Sequence, residues 1–276
     1  MDSLIHRDFL KQAYAIVNPL QAPKAQFDGI PSSALVPHGM ERHARMMPRL
    51  LDLRALGNDE RMDLLERSDK WLRTFGDPMF SMLIESDKQP AQVVAHLLKN
   101  MLMSRADGKR FWLRFHDPRV FQHLPWILDA GQLWHLMGRS RSWCFYDVFQ
   151  QKWSRVKLPE LDDRTLPRFH FSPRQWEALD LLQPLNDALT ELQERHESIP
   201  EGASARVMEG LCAASANGLH SAEDQCEFAL QWFHEGESML GLPLVRQALI
   251  QANAEGGSYL SIKREMEYAS SSPTVR

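Results

Sequence analysis

Few residues able to do chemistry stand at spacings that chemistry uses. His116, Asp117 and His123 lie close together, and a turn running into a helix could bring two imidazoles and a carboxylate onto one metal ion. An Asp directly before Pro118, however, is also how a helix begins. Its carboxylate accepts the free N–H groups of the first turn, and Pro suits the first helical position because no donor is needed there. Two neighbouring His among eleven need no further account, so the helix start is the preferred reading. Cys144 sits in an apolar pattern with Trp143, Phe145 and Val148, the setting of a buried inert thiol rather than a nucleophile. Glu191, Glu194 and His196 fall near the end of a helical pattern and read as a solvated face. The chain has no GxSxG elbow, no glycine-rich phosphate loop, no HExxH and no CxxC. No catalytic residue, cofactor site or metal site is expected.

Two arginines flank the same helix start. Arg114 shares a strand face with Trp112, opposite Phe111, Leu113 and Phe115. Arg119 falls in the first turn of the helix, where the dipole disfavours a cation. A cation so placed needs a partner, either a carboxylate of the same lobe, such as Asp117 or Asp147, or one on a bound protein.

The elements that position these residues are legible in outline. Phe111 to Phe115 alternates like a strand with one face on a core and turns at Asp117-Pro118 into a short helix ending near Leu124-Pro125. Before it, Tyr14–Val17, Arg49–Leu53 and Met79–Ile84 read as strands, and residues 20–48, rich in Pro and Gly, as mostly loop. Asp59 is the expected cap of a helix carrying Met62, Leu65, Trp71 and Leu72. Val93, Val94, Leu97, Leu98, Met101 and Leu102 form the stripe of an amphipathic helix with Pro90 in its first turn, and Asp107-Gly108 turns the chain back. Asp129 and Gln132 suit a capping box for a helix closed by Gly138. Ser142–Phe149 and Trp153–Val156 then read as two strands joined by a tight turn.

After residue 171 the pattern is helical throughout. Ser172-Pro173-Arg174-Gln175 is a capping box opening a long helix, which Pro184 should bend or divide. Further helices are expected from about Ala203 to Asn217, from Ser221, and from Pro243 to Gly256-Gly257. The fold expectation is therefore a mixed α+β (α/β) lobe over 1–157, a linker over 158–171, an all-α lobe over 172–258 and a tail over 259–276 whose end, Ser270 to Arg276, is disordered.

The block Leu113-Arg114-Phe115-His116-Asp117-Pro118-Arg119-Val120, with Leu124-Pro125 beyond it, resembles the RFYDPRV signature of the type VI secretion effector adaptors, the Tap/Tec-type chaperones. His116 stands where that family has Tyr, and Leu113 where it has Phe. Similarity of order and spacing extends from about Tyr14 to Val156, through Gly29-Ile30-Pro31, Leu50–Leu53, a Trp-containing helix and Gly76-Asp77-Pro78 to Ser86. The helical lobe resembles the family only in length and helicity. The resemblance implies a non-catalytic adaptor that binds a toxic effector protein and delivers it to a VgrG-type spike protein. On that reading Arg114, His116, Asp117, Arg119 and Phe121 are the expected protein-binding surface of the first lobe, for spike or effector docking, and the acidic helical lobe is expected to contact the effector. The competing readings are a hydrolase with an unrecognised site and a regulatory ligand-binding domain.

Bulk properties bound the rest. Residues 172–258 hold four Arg, no Lys and fourteen Asp or Glu, a balance of −10, whereas residues 1–171 carry +5 and the remainder +1. Such a division can select the sign of a partner's surface. The basic excess is small and dispersed, so nucleic acid is not an expected partner. No apolar run approaches the ~20 residues that span a bilayer. The beginning of the chain lacks a basic-then-apolar leader, and its three scattered cysteines fit a reducing compartment, so a cytoplasmic location is expected.

Overall fold

The computed structural model describes residues 6–138, 140–161, 169–195 and 199–271, which fall into two compact units dividing between Phe171 and Ser172. In chain order the first unit contains α1 (His6–Leu10), β1 (Tyr14–Val17), β2 (Ser32–Ala34), β3 (Arg49–Asp52), α2 (Asn58–Phe75) and β4 (Met82–Glu85). There follow α3 (Pro90–Met101), β5 (Leu102–Ser104), β6 (Arg110–Trp112), α4 (Pro118–Phe121), α5 (Leu124–Ile127), α6 (Ala130–Met137), β7 (Ser142–Asp147) and β8 (Lys152–Lys157). Six strands form one sheet in the order β2-β3-β1-β4-β7-β8, and every neighbouring pair is antiparallel. The mixed α+β expectation holds.

Register explains why the central strands are apolar on both faces. Tyr14 lies opposite Ile84, and Ile84 opposite Trp143, on one face. Ala15 lies opposite Leu51 and Leu83, and Leu83 opposite Cys144, on the other. The second face is covered by Phe9 of α1 and by Leu64 and Leu65 of α2. The first is covered by the segment between β6 and α5, where Phe115 and Phe121 meet Trp143 at ring separations of 5.7 and 5.4 Å. A strand buried on both sides reads as a continuous apolar run without alternation.

Local signals hold at most boundaries and fail at a few. Asp129 and Gln132 form the expected capping box, and Gly138 ends α6 at φ +59. Helix α2 begins one residue before the expected cap: Gly57 holds the N-cap, and Glu60 Oε2 accepts its N–H at 2.7 Å. Strand β2 lies inside the Pro- and Gly-rich stretch expected to be loop. The strand expected over Phe111 to Phe115 stops at Trp112 and pairs only with β5, in a separate two-stranded sheet. Leu113 N–H still reaches Met101 O at 2.9 Å, but Asp117 N–H then donates to Arg114 O at 2.8 Å and closes a turn.

The second unit is all helix: α7 (Pro173–Asp180), α8 (Leu182–Glu194), α9 (Ala203–Ala216), α10 (Ala222–Glu235), α11 (Pro243–Glu255) and α12 (Tyr259–Ser271). The Ser172 capping box is present, and the long helix divides at Leu181 so that Pro184 falls in the first turn of α8, where its missing N–H costs no bond. Residues 259–271 are not the tail the sequence suggested. Tyr259 is fully buried and packs with Ile262 against Phe228, Val245 and Leu249. The stripe Tyr259, Ile262 and Met266 was hidden among charges after Gly256-Gly257. Asp224, buried on α10, fixes the start of α12 by accepting Leu260 N–H at 2.9 Å and the Ser258 hydroxyl at 2.8 Å. The disorder expected at the end of the chain concerns residues that, from 272 on, lie outside the described ones. So do 162–168 of the expected linker, whose end, Phe169 and Phe171, packs within the first unit. No helix among the described residues is long and apolar enough to cross a membrane.

Two variants test this architecture. A Cβ at Gly210 would lie 2.8 Å from Trp232 Cβ and 2.9 Å from Ala229 Cα, so α9 and α10 must separate to admit it. Gly210→Ala should cost about 1–3 kcal/mol and lower the melting temperature by calorimetry, and an unchanged melt would refute the close approach. Asp224→Ala leaves two donors of the α12 start unpaired, and should speed amide hydrogen exchange in α12 well before that in α9.

Candidate functional site

The corner between β6 and α5 is set by three local devices. Asp107-Gly108 makes the turn into β6, with Gly108 at φ +78 and Asp107 Oδ1 accepting Lys109 N–H at 3.0 Å. Asp117 caps α4, its Oδ1 accepting Arg119 N–H at 3.0 Å, and Pro118 occupies the first helical position. The aromatic anchors Phe115 and Phe121, both fully buried, pin the two sides of the corner to Trp143, and Phe121 also meets Phe145 edge-on at 5.2 Å.

The five residues expected to form a binding surface therefore divide. Arg114 and Arg119 are exposed and Asp117 is half-buried, while His116 and Phe121 are core residues. Phe121 cannot touch a partner, because it is spent in the aromatic core. His116 is 6 % exposed, with its ring against Trp112 at 5.9 Å and Phe115 at 6.1 Å. Burial, with the Arg114 charge adding to it, pushes its pKa down to about 3, so the imidazole is neutral. Its Nδ1 is buried without a hydrogen-bond partner among the described residues, as are the indole nitrogens of Trp112 and Trp143. Unmade bonds of this kind weaken a core locally. Trp126 was not singled out from the sequence. It is 41 % exposed on α5 and edge-on to His123 at 5.8 Å.

The metal-binding alternative finds no geometry here. His116 faces Trp112 and Phe115, whereas His123 meets Trp126. Among the described residues no three His, Cys, Asp or Glu side chains are grouped to hold a metal ion. Cys144 is buried, and burial raises its thiol pKa despite Arg155, whose Nε lies 3.4 Å from Sγ. That arginine is held in turn by Asp8 at 2.8 Å, so the thiol belongs to a contact tying α1 to β7 and β8.

The second unit carries a concavity the sequence did not disclose. A groove of about 310 Å³ lies among α8, α10 and α12, lined by Asp187, Glu191, Glu223 and Glu227 around a floor that includes Cys226 and Leu230. Glu191 had the look of a solvated face, and its grouping with α10 depends on how the helices pack. His196 lies outside the described residues. Burial, then the charges of Glu191, Asp187 and Glu227, raises the Cys226 thiol to about 11, so it is a neutral part of the floor.

Residues 2–134 match the family described as a domain of unknown function, DUF4123, a span that includes β1 to α5 and so the whole corner. Neither the curated proteins nor the solved structures give a match to the chain.

The buried imidazole sets a pH test. The unfolded chain takes up a proton near pH 6.5 that folded His116 refuses until about 3, so its contribution to stability is intact above 6.5 and is lost as the pH falls through that window. Urea titrations should show His116→Phe, which keeps the ring contacts, losing less stability than the parent on going from about pH 7.5 to about pH 5. The difference should approach 1.4 kcal/mol per pH unit below the unfolded value. Parallel pH profiles would refute a buried neutral His116.

Proposed function

We propose that this protein is a non-catalytic adaptor of type VI secretion, which binds a toxic effector in the cytoplasm and hands it to a VgrG-type spike protein. The observation that carries the reading is the corner Leu113–Val120, whose sequence resembles the adaptor signature and which lies inside the DUF4123 match. The physics of the corner supports it. Its apolar members and His116 are spent in the core, while Asp117 caps a helix and Arg114 and Arg119 stand at the surface. A turn with Arg114 and Arg119 exposed, followed by the partly exposed Trp126 on α5, offers charged and aromatic groups suited to gripping protein, since Arg and Trp lend themselves to interface anchors.

Docking at a standard interface of about 1,600 Å² spans micromolar to picomolar affinity, so the energy must be concentrated in a few anchors. Arg114 and Trp126 are the candidates, because Arg114 is exposed and Trp126 is 41 % exposed on α5.

The test uses the full chain, tagged and co-expressed with VgrG-type spike proteins and type VI toxins of the same bacterium. Co-purification of both is expected, together with loss of toxin secretion on deletion of the gene while the apparatus still fires. Arg114→Ala combined with Trp126→Ala should weaken capture of one partner at least tenfold with an unchanged melting temperature. A chain that binds neither protein, or that turns over a substrate, would overturn the reading.

A further inference from the structure

Three helices each present a pair of residues one turn apart to the groove of the second unit: Asp187 and Glu191 on α8, Glu223 and Glu227 on α10, Leu260 and Arg264 on α12. Residues four apart lie on one helix face, so α8 and α10 supply two acidic rails. One rung between the rails is already filled from within. The Arg195 guanidinium lies 3.1 Å from Glu191 and 3.9 Å from Glu227, and Lys263 Nζ approaches Glu227 at 2.9 Å. One turn upstream on each helix stand Asp187 and Glu223. Asp187 accepts only a neutral amide, that of Gln183 at 2.8 Å, and neither acid has a cation within ion-pair distance among the described residues.

We propose that this groove docks a basic amphipathic segment of a partner protein, with a guanidinium or ammonium between Asp187 and Glu223 and an apolar side chain on the floor at Leu230 and Leu260. Charge complementarity selects this occupant. The lining carries four carboxylates against two arginines, of which Arg195 is already paired and Arg264 stands on α12, and α8 and α10 belong to a stretch, 172–258, with a balance of −10. An acidic or neutral segment would leave the two carboxylates uncompensated as the groove loses water. A cation there exchanges hydration for carboxylates at exposed positions, where salt screens the attraction. Within the adaptor reading, on which the biological identity of the occupant rests, the segment belongs to the effector.

The probe is a fluorescein-labelled twelve-residue peptide of alternating Leu and Arg turns, titrated into the full chain by anisotropy, beside a counterpart with Gln for Arg. The parent chain should bind the cationic peptide at least tenfold more tightly than the neutral one, with affinity falling as salt rises. Asp187→Lys combined with Glu223→Lys should abolish that preference, whereas Glu201→Lys with Glu237→Lys, an equal charge change at exposed sites outside the groove, should retain it. Equal loss in both double variants, or equal binding of both peptides, would overturn the groove as the site. Toxin capture separates this inference from the adaptor reading. A chain that prefers the cationic peptide through Asp187 and Glu223 but captures neither toxin nor spike keeps the groove and removes the adaptor. A chain that captures toxin undiminished in the Asp187→Lys, Glu223→Lys variant and ignores the peptide does the reverse.

Discussion

The first unit depends on an aromatic contact, that of Phe115 and Phe121 with Trp143. Burying three large rings removes several hundred square ångströms of apolar surface from water, which at about 25 cal/mol per Å² is among the largest single contributions a small core can hold. Its placement matters as much as its size. Trp143 lies in the sheet between neighbours on β4 and β8, while Phe115 and Phe121 sit on either side of Asp117-Pro118. The corner is thus clamped from both ends to the most rigid element available. The cap at Asp117 sets the angle between the arms, and the rings set their position. A surface residue such as Arg114, between Leu113 and Phe115 with both neighbours fully buried, inherits that rigidity.

That clamp explains the division among the corner residues. Alternation in Phe111 to Phe115 correctly marked Leu113 and Phe115 as inward and Arg114 as outward. It could not tell whether the strand belongs to the main sheet, because pairing is set by distant residues. The partner of Trp112 proves to be Leu102, and the resulting ribbon is separate. Past Asp117 the sequence changes period, and one helical turn contains too few residues to show which side faces inward. Phe121 therefore looked as available as Arg119, although it is fully buried. The capping boxes at Asp129 and Ser172 were legible because each is written within four consecutive residues.

The helical unit was harder to read for the same reason at larger scale. Its helix starts follow from Ser172, Ser221 and Pro243, each a local signal. Helix α12 has its own cap in Ser258, whose hydroxyl accepts Ser261 N–H at 3.3 Å, but the carboxylate that accepts Leu260 N–H and the Ser258 hydroxyl comes from Asp224, on another helix. Its three apolar contacts are spread among Lys263, Arg264, Glu265 and Glu267, and composition alone gives that stretch the character of a solvated tail. The groove is invisible in sequence on the same grounds. Asp187 and Glu223 are far apart along the chain, and that both line one groove is a consequence of which faces α8 and α10 bury.

The two units present chemically different surfaces, and the difference bears on how cargo could be held and released. An anchor like Trp126 gains its binding energy from lost apolar hydration, which is insensitive to salt and holds a partner through long encounters. Carboxylate rails act at longer range, raise the rate of encounter with a cationic segment, and weaken within a Debye length of about 8 Å at physiological ionic strength. A carrier that must capture a protein quickly and later give it up needs both behaviours, and a single uniform surface provides only one. With −10 concentrated on the helical stretch and +5 dispersed over the preceding residues, the adaptor proposed above would capture by charge through the second unit and retain by apolar contact through the first. The assignment follows from the sign and the density of charge, since the electrostatic attraction felt at a distance grows with the number of like charges gathered on one face.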